Sequence, residues 1–238
     1  MLVLAAVSAR AAEPKRATVW DLTLGAPAAD QPPPEEFKSF ACGSDGGPPL
    51  QQLAGWPDFA TCAADAAGLH EVAFEYDDEQ EYIARAHGRL DDLPRLAGTT
   101  ELAFPLIASA RFDDAGILRA IRLVSDPRPD YRPDQGDAEL RSRKDAYKLS
   151  GFLAARFAIE PARDCTTEPP ALGESPVGQV FVKQRCVKRD GARRVTLATR
   201  YFRKAGQTDR DPTLATRLTR GEFESETRLD IELVEGSR

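Results

Sequence analysis

Hydrophobic and polar residues alternate along several stretches of this chain, and the alternation predicts strands. Over residues 70–77, Val72, Phe74 and Tyr76 interleave with Glu71, Glu75 and Asp77, the period-2 signature of a half-buried strand. Asp78-Glu79-Gln80 turns the chain, and residues 81–87 follow as its partner strand, with a helix as the alternative. Residues 102–112 and 117–125 predict a hairpin across Asp113-Asp114-Ala115-Gly116, where Gly116 is free to take positive φ. Residues 179–188 and 193–204 predict a second hairpin across Asp190-Gly191. A last strand over 226–234 turns Leu229, Ile231 and Leu233 inward.

Between these stretches the pattern changes period. Residues 50–53 predict a short helix, and residues 59–67 a second one, capped by Asp58 and ended by Gly68. Residues 137–159 predict a longer helix with Asp137 as N-cap and Leu140, Tyr147, Phe152, Leu153 and Phe157 on its core face; Pro161 stops it. Residues 12–36 are rich in Ala and Pro, including Pro32-Pro33-Pro34, and read as an extended arm that a short strand at 20–24 docks. The expected fold class is therefore α+β. It has two small halves, each a helix plus an antiparallel hairpin or sheet, spanning 37–125 and 137–238 and joined by a Pro-rich connection at 126–136.

Charge sharpens that division. Residues 12–137 carry 23 Asp and Glu against 11 Lys and Arg, whereas residues 138–238 carry 15 against 20, within a formal net charge of −6. With 42% hydrophobic residues in 238, the chain can build a core, and its composition excludes collagen and low-complexity disorder. No stretch is long and apolar enough for a membrane-spanning helix.

The first eleven residues read as the tail of an export signal. A short apolar run, Leu2-Val3-Leu4-Ala5-Ala6-Val7, precedes the small residues Ala9 and Ala11, which places cleavage after Ala11; no Lys or Arg precedes the run. Four cysteines, an even number, favour disulfides in an oxidising compartment. They allow three pairings, and Cys42–Cys62 with Cys165–Cys186 is expected because each pair then closes a local loop within one half. Arg far outnumbers Lys, which suits a GC-rich bacterial genome. The expected location is the periplasm or the exterior.

Little in the chain points to catalysis. Asp77, Asp78, Glu79 and Glu81 are acidic but lack the loop pattern of a calcium site and read as a solvated turn. His70 and His87, the only histidines, belong to no metal-binding helix motif, and Gly43-Ser44-Asp45-Gly46 is not a nucleophile elbow. No metal and no cofactor is expected. The sharpest feature is the second hairpin, where Lys183, Arg185, Lys188, Arg189, Arg193, Arg194, Arg200, Arg203 and Lys204 stand against Asp190 alone, with Tyr201 and Phe202 interleaved. In an exported, acidic protein this points away from nucleic acid. It points toward an envelope protein or an anionic surface such as lipid head groups or a glycan. Arg185, Arg193, Arg194, Arg200, Tyr201 and Arg203 are the expected contact residues, since arginine forks onto carboxylates or phosphates and aromatic rings add apolar anchors.

At Trp20–Gly25, Ala41-Cys42-Gly43, Glu71–Asp78 and Phe223-Glu224-Ser225 the chain resembles exported proteobacterial proteins of uncharacterised function. The expected order helix, helix, strands over 48–125 is similar to that of the β-lactamase-inhibitor-like modules, which include outer-membrane assembly lipoproteins. That resemblance implies binding to other proteins rather than catalysis. It covers less than half the chain, carries no residue roles, and departs from the lipoprotein members in having no N-terminal cysteine to lipidate. The leading expectation is a non-enzymatic binding protein. A hydrolase built on Asp77, Glu79, His70 or His87, and a purely structural envelope protein, are the alternatives.

Overall fold

The computed structural model describes residues 17–43, 51–76, 87–88, 99–101, 104–125, 146–205 and 223–234. Among them the chain forms one antiparallel sheet of ten strands. These are β1 (Ser39–Cys42), β2 (Gln51–Leu53), β3 (His70–Glu75), β4 (Thr99–Glu101), β5 (Phe104–Phe112) and β6 (Leu118–Ser125). They continue with β7 (Cys165–Thr167), β8 (Val182–Asp190), β9 (Arg193–Phe202) and β10 (Glu224–Leu233). The spatial order is β2-β1-β3-β5-β6-β10-β9-β8-β7, with β4 alongside β5.

This overturns the α+β expectation. The protein is mainly β, and its two halves share a single sheet because β10 inserts between β6 and β9. Leu229 sits opposite Leu123 on one side and Leu197 on the other. Helix content among the described residues is small. The eight residues of α1 (Leu149–Arg156) follow a 3-10 turn at Ala146–Lys148, and α2 (Pro161–Asp164) is one turn. The expected helix at 50–53 is strand β2, and the one at 59–67 is replaced by a 3-10 turn at Trp56–Thr61. The alanines there favour helix, but Cys62 is tied to Cys42 on β1, and Ala64 must turn back to pair with His70. Residues 20–24 form no strand; a 3-10 turn at Val19–Asp21 is closed by a capping box between Thr18 and Asp21. The expected strand at 81–87 and connection at 126–136 lie outside the described residues, apart from His87.

Both disulfides form with the expected pairing, Cys42–Cys62 and Cys165–Cys186. Cys165 and Cys186 stand directly opposite each other on β7 and β8.

Register explains the core. Leu53, Phe40, Phe74, Ala108, Leu123, Leu229, Leu197, Cys186 and Cys165 line up as one row across the nine strands of the main path. With period 2, they all stand on one face, the inner face. At the β1–β3 end this face is covered by aromatic rings: Phe37, Phe40 and Phe74 each lie within 5.1 Å of Trp56, centroid to centroid. At the other end it is covered by Leu149 and Leu153 of α1 and by Ile159. The arm closes the middle. Gly25 donates to the carbonyl of Leu118 at 2.8 Å, and buried Gln31 bonds Thr23 through both its amide nitrogen and its carbonyl oxygen.

Candidate functional site

Strands β8 and β9 carry the expected contact residues, and alternation sends them to two sides. Arg185, Arg194 and Arg200 share the outer face with Lys183 and Arg189. Arg193 and Tyr201 stand on the inner face. Tyr201 is buried, stacked on Tyr147 at 4.3 Å. Arg203, just beyond β9, is buried too and donates to the carbonyl of Pro176 at 3.4 Å. The structure thus gathers three of the six residues on one surface and places the other three elsewhere.

That surface has an unusual charge arrangement. In register, Lys183 faces Arg200 and Arg189 faces Arg194 across the hairpin. Like charges directly opposite each other on a sheet oppose its pairing. Neighbouring acids relieve part of this. Glu232 on β10 holds Arg194 at 2.7 Å, Glu226 lies 3.9 Å from Arg200, and Glu174 takes Lys183 at 3.1 Å. The hydrogen bond from Lys183 to Glu174 holds the ammonium above its ordinary pKa. Arg185 and Arg189 are exposed and form no ion pair among the described residues. Further into the sheet the same face becomes a closed network: Arg122 bonds Asp230 at 2.6 Å and reaches Glu71 at 3.6 Å, and Arg228 adds a second contact to Asp230 at 3.2 Å.

The inner side of the same hairpin opens into a groove of about 880 Å³. Arg156, Phe157 and Ala158, at the end of α1, line one side of it. The arm covers the far side. Between them the floor is aliphatic at Leu22, Leu24, Ile121, Val195, Ile231 and Leu233, and Thr23, Asp190 and Arg193 line the groove beside these residues. The rim is cationic at the end of α1. The Arg156 guanidinium lies 3.8 Å over the Trp20 ring, and Lys188 Nζ donates to the carbonyl of Ala158. Ala158 occupies the left-handed position of a Schellman cap, φ 47°, with Ile159 N–H bonding Ala154 O at 2.8 Å. Glycine is the usual residue there, so this helix end carries backbone strain at the groove. Arg193 and Asp190, also in the lining, are paired with each other.

Family models, curated proteins and solved structures give no match to this chain.

The residues considered for hydrolysis lie elsewhere. Asp77, Asp78, Glu79 and Glu81 fall outside the described residues, and His87 is exposed. His70 sits at the β1–β3 end, where both ring nitrogens face oxygen acceptors. The Cys62 carbonyl lies 2.6 Å from Nδ1 and the Asp114 carboxylate 3.0 Å from Nε2. Two acceptors call for two N–H groups, so the Cys62 carbonyl first, then Asp114, hold the imidazole above its ordinary pKa against an opposing effect of burial. Asp65, nearby, is pushed up by its burial. The Leu69 N–H, the Arg111 guanidinium and the Ala67 N–H outweigh this and hold its carboxyl below the ordinary value. Among the described residues no three His, Cys, Asp or Glu side chains gather as a metal site.

The groove was not visible in the sequence, because its lining comes from the arm, α1 and four strands. The division of the arginines was visible in principle. Arg193 and Arg194 are consecutive on a strand, and consecutive strand residues point to opposite faces.

Proposed function

We propose that this protein is a periplasmic or secreted, non-enzymatic binding protein that docks on an anionic partner in the envelope through the outer face of the β8–β9 hairpin. The observation that carries this reading is the pair of like-charged cross-strand contacts, Lys183 with Arg200 and Arg189 with Arg194. A sheet face selected for stability alone would alternate sign across the hairpin. Here a destabilising arrangement is kept beside two exposed arginines without ion-pair partners among the described residues, Arg185 and Arg189. A partner with spread negative charge would relieve the repulsion on binding. Arginine suits phosphate and carboxylate groups equally. The two disulfides fit the oxidising compartment this location requires.

A broad pleated face suits an extended anionic surface. The test is co-sedimentation with vesicles of phosphatidylglycerol against vesicles of phosphatidylcholine. Retention on the anionic vesicles is expected at about 0.1 M salt and is lost at about 1 M, where the Debye length falls from ~10 Å to ~3 Å. The double variant Arg185→Glu, Arg189→Glu should lose retention at low salt. Equal retention on both lipids, or an unaffected double variant, would remove this face as the contact.

A further inference from the structure

We propose that the inner groove is a second binding site, for an amphiphile with a single hydrocarbon chain and an anionic head, either carboxylate or phosphate. It goes beyond the docking face, which lies on the opposite side of the same strands.

The floor decides the tail. Leu22, Leu24, Ile121, Val195, Ile231 and Leu233 offer no hydrogen-bonding side chain, so a polar group pressed against them would lose its water without a partner. A hydrocarbon chain loses nothing there and gains contact with close-packed aliphatic carbons. The volume of about 880 Å³ falls within the range of small-molecule sites.

The rim decides the head. The Arg156 guanidinium lies over the Trp20 ring, a contact that uses none of its N–H donors in a hydrogen bond, and it forms no ion pair among the described residues. Lys188 spends one of its three donors on the Ala158 carbonyl. Both cations thus flank the same helix end, with donors to spare beside the aliphatic part of the groove. Two effects oppose this assignment: the carbonyls at the end of α1 present the negative pole of the helix, and Asp190 brings a carboxylate to the lining, where Arg193 already pairs with it. The Lys188 ammonium already rests on the Ala158 carbonyl and covers that pole, so an anion arriving at the rim meets the cations first.

Trp20 makes the site readable. It lines the groove and is partly exposed, whereas Trp56, the other tryptophan, is buried among aromatic rings at the other end of the sheet. Dodecanoate, dodecyl phosphate and dodecanol would be titrated into the full chain below their aggregation concentrations while tryptophan emission is followed. Saturable emission changes are expected with the two anionic probes, and the stronger of them identifies carboxylate or phosphate as the preferred head. Dodecanol should bind at least about tenfold more weakly, the loss of one charge-assisted contact. The change should vanish in Trp20→Phe. The variant Arg156→Gln, Lys188→Gln should weaken the anionic probes by at least about tenfold and leave dodecanol unchanged. Arg156→Gln alone, at an exposed position, gives the same reading if the double variant fails to fold. The Arg185→Glu, Arg189→Glu variant should bind all three probes normally, which separates this site from the docking face. Equal affinity for dodecanol, an unchanged dodecanoate affinity in the rim variants, a signal that survives Trp20→Phe, or no saturable signal from any probe would overturn the proposal.

Discussion

The two ends of the sheet are stapled alike and covered differently. Each has one disulfide closing a loop of similar size, with sequence separations of 20 and 21. At the β1–β3 end, Trp56 is buried against Phe37, Phe40 and Phe74 and donates its indole N–H to the carbonyl of Pro32 at 2.9 Å. Inner-face packing there is aromatic and tight. At the β8–β9 end the cover is one short helix that leaves a groove, and the outer face holds like charges opposite each other. The difference teaches where stability is made and where it is given up: the first end is packed by aromatic rings, and the second keeps an uncovered groove and like-charged neighbours.

The largest effect should come from breaking the aromatic packing. Trp56→Ala removes a fully buried indole and should cost about 3–5 kcal/mol in urea unfolding. Trp20→Ala, at the half-covered groove, should cost clearly less. Equal losses would mean that both ends are packed to the same degree.

The disulfides sharpen the comparison next. On the chain-entropy argument, Cys42→Ser with Cys62→Ser, and Cys165→Ser with Cys186→Ser, should each cost about 3 kcal/mol, because the loops are nearly equal. Cys165 and Cys186 already face each other in the β7–β8 ladder, whereas Cys62 lies on a turn outside the sheet. A loss for the first pair well above that for the second, in denaturant midpoint, would show that the first disulfide also positions the aromatic cover.

A smaller effect concerns pH at the β1–β3 end. His70 bridges the Cys62 carbonyl and Asp114, with Asp65 nearby and the Phe59 ring at 5.6 Å. Its folded pKa is raised above 6.5, so its contribution is fully present below that value and is lost as pH rises through the folded one. The melting temperature of the native chain should fall relative to that of His70→Gln as pH rises above 6.5. Parallel curves for the two proteins would show that the bridge does not couple to folding.

Much of the sheet was legible in the chain. Strands β3, β5, β6, β8, β9 and β10 follow from alternation, and the turns before Gly116 and Gly191 from residues that tolerate positive φ. The joining of the halves was not. Arg122 and Asp230, bonded across β6 and β10, are 108 residues apart, and nothing local in either strand specifies the other. Residues 50–53 and 59–67 misled for a related reason: short apolar or Ala-rich runs favour helix until a ladder to β1 or a tether to Cys42 claims them. For the site, the excess of arginine was plain, yet its division between two faces depends on register. Arg203 was counted as a surface cation and is buried. The groove could not be anticipated, because its lining comes from the arm, the end of α1 and four strands far apart in the chain.

The most direct test of this division of labour is a single substitution measured twice. Arg189→Glu would place an acid opposite Arg194 and remove an exposed arginine without breaking an ion pair among the described residues. The variant should be more stable by a few tenths to about 1 kcal/mol, a rise in melting temperature of about 1–3 °C. The same protein should be retained less by phosphatidylglycerol vesicles at low salt. A variant that melts at or below the native temperature and binds those vesicles as well as before would contradict the claim that this face keeps its repulsion for the sake of a partner.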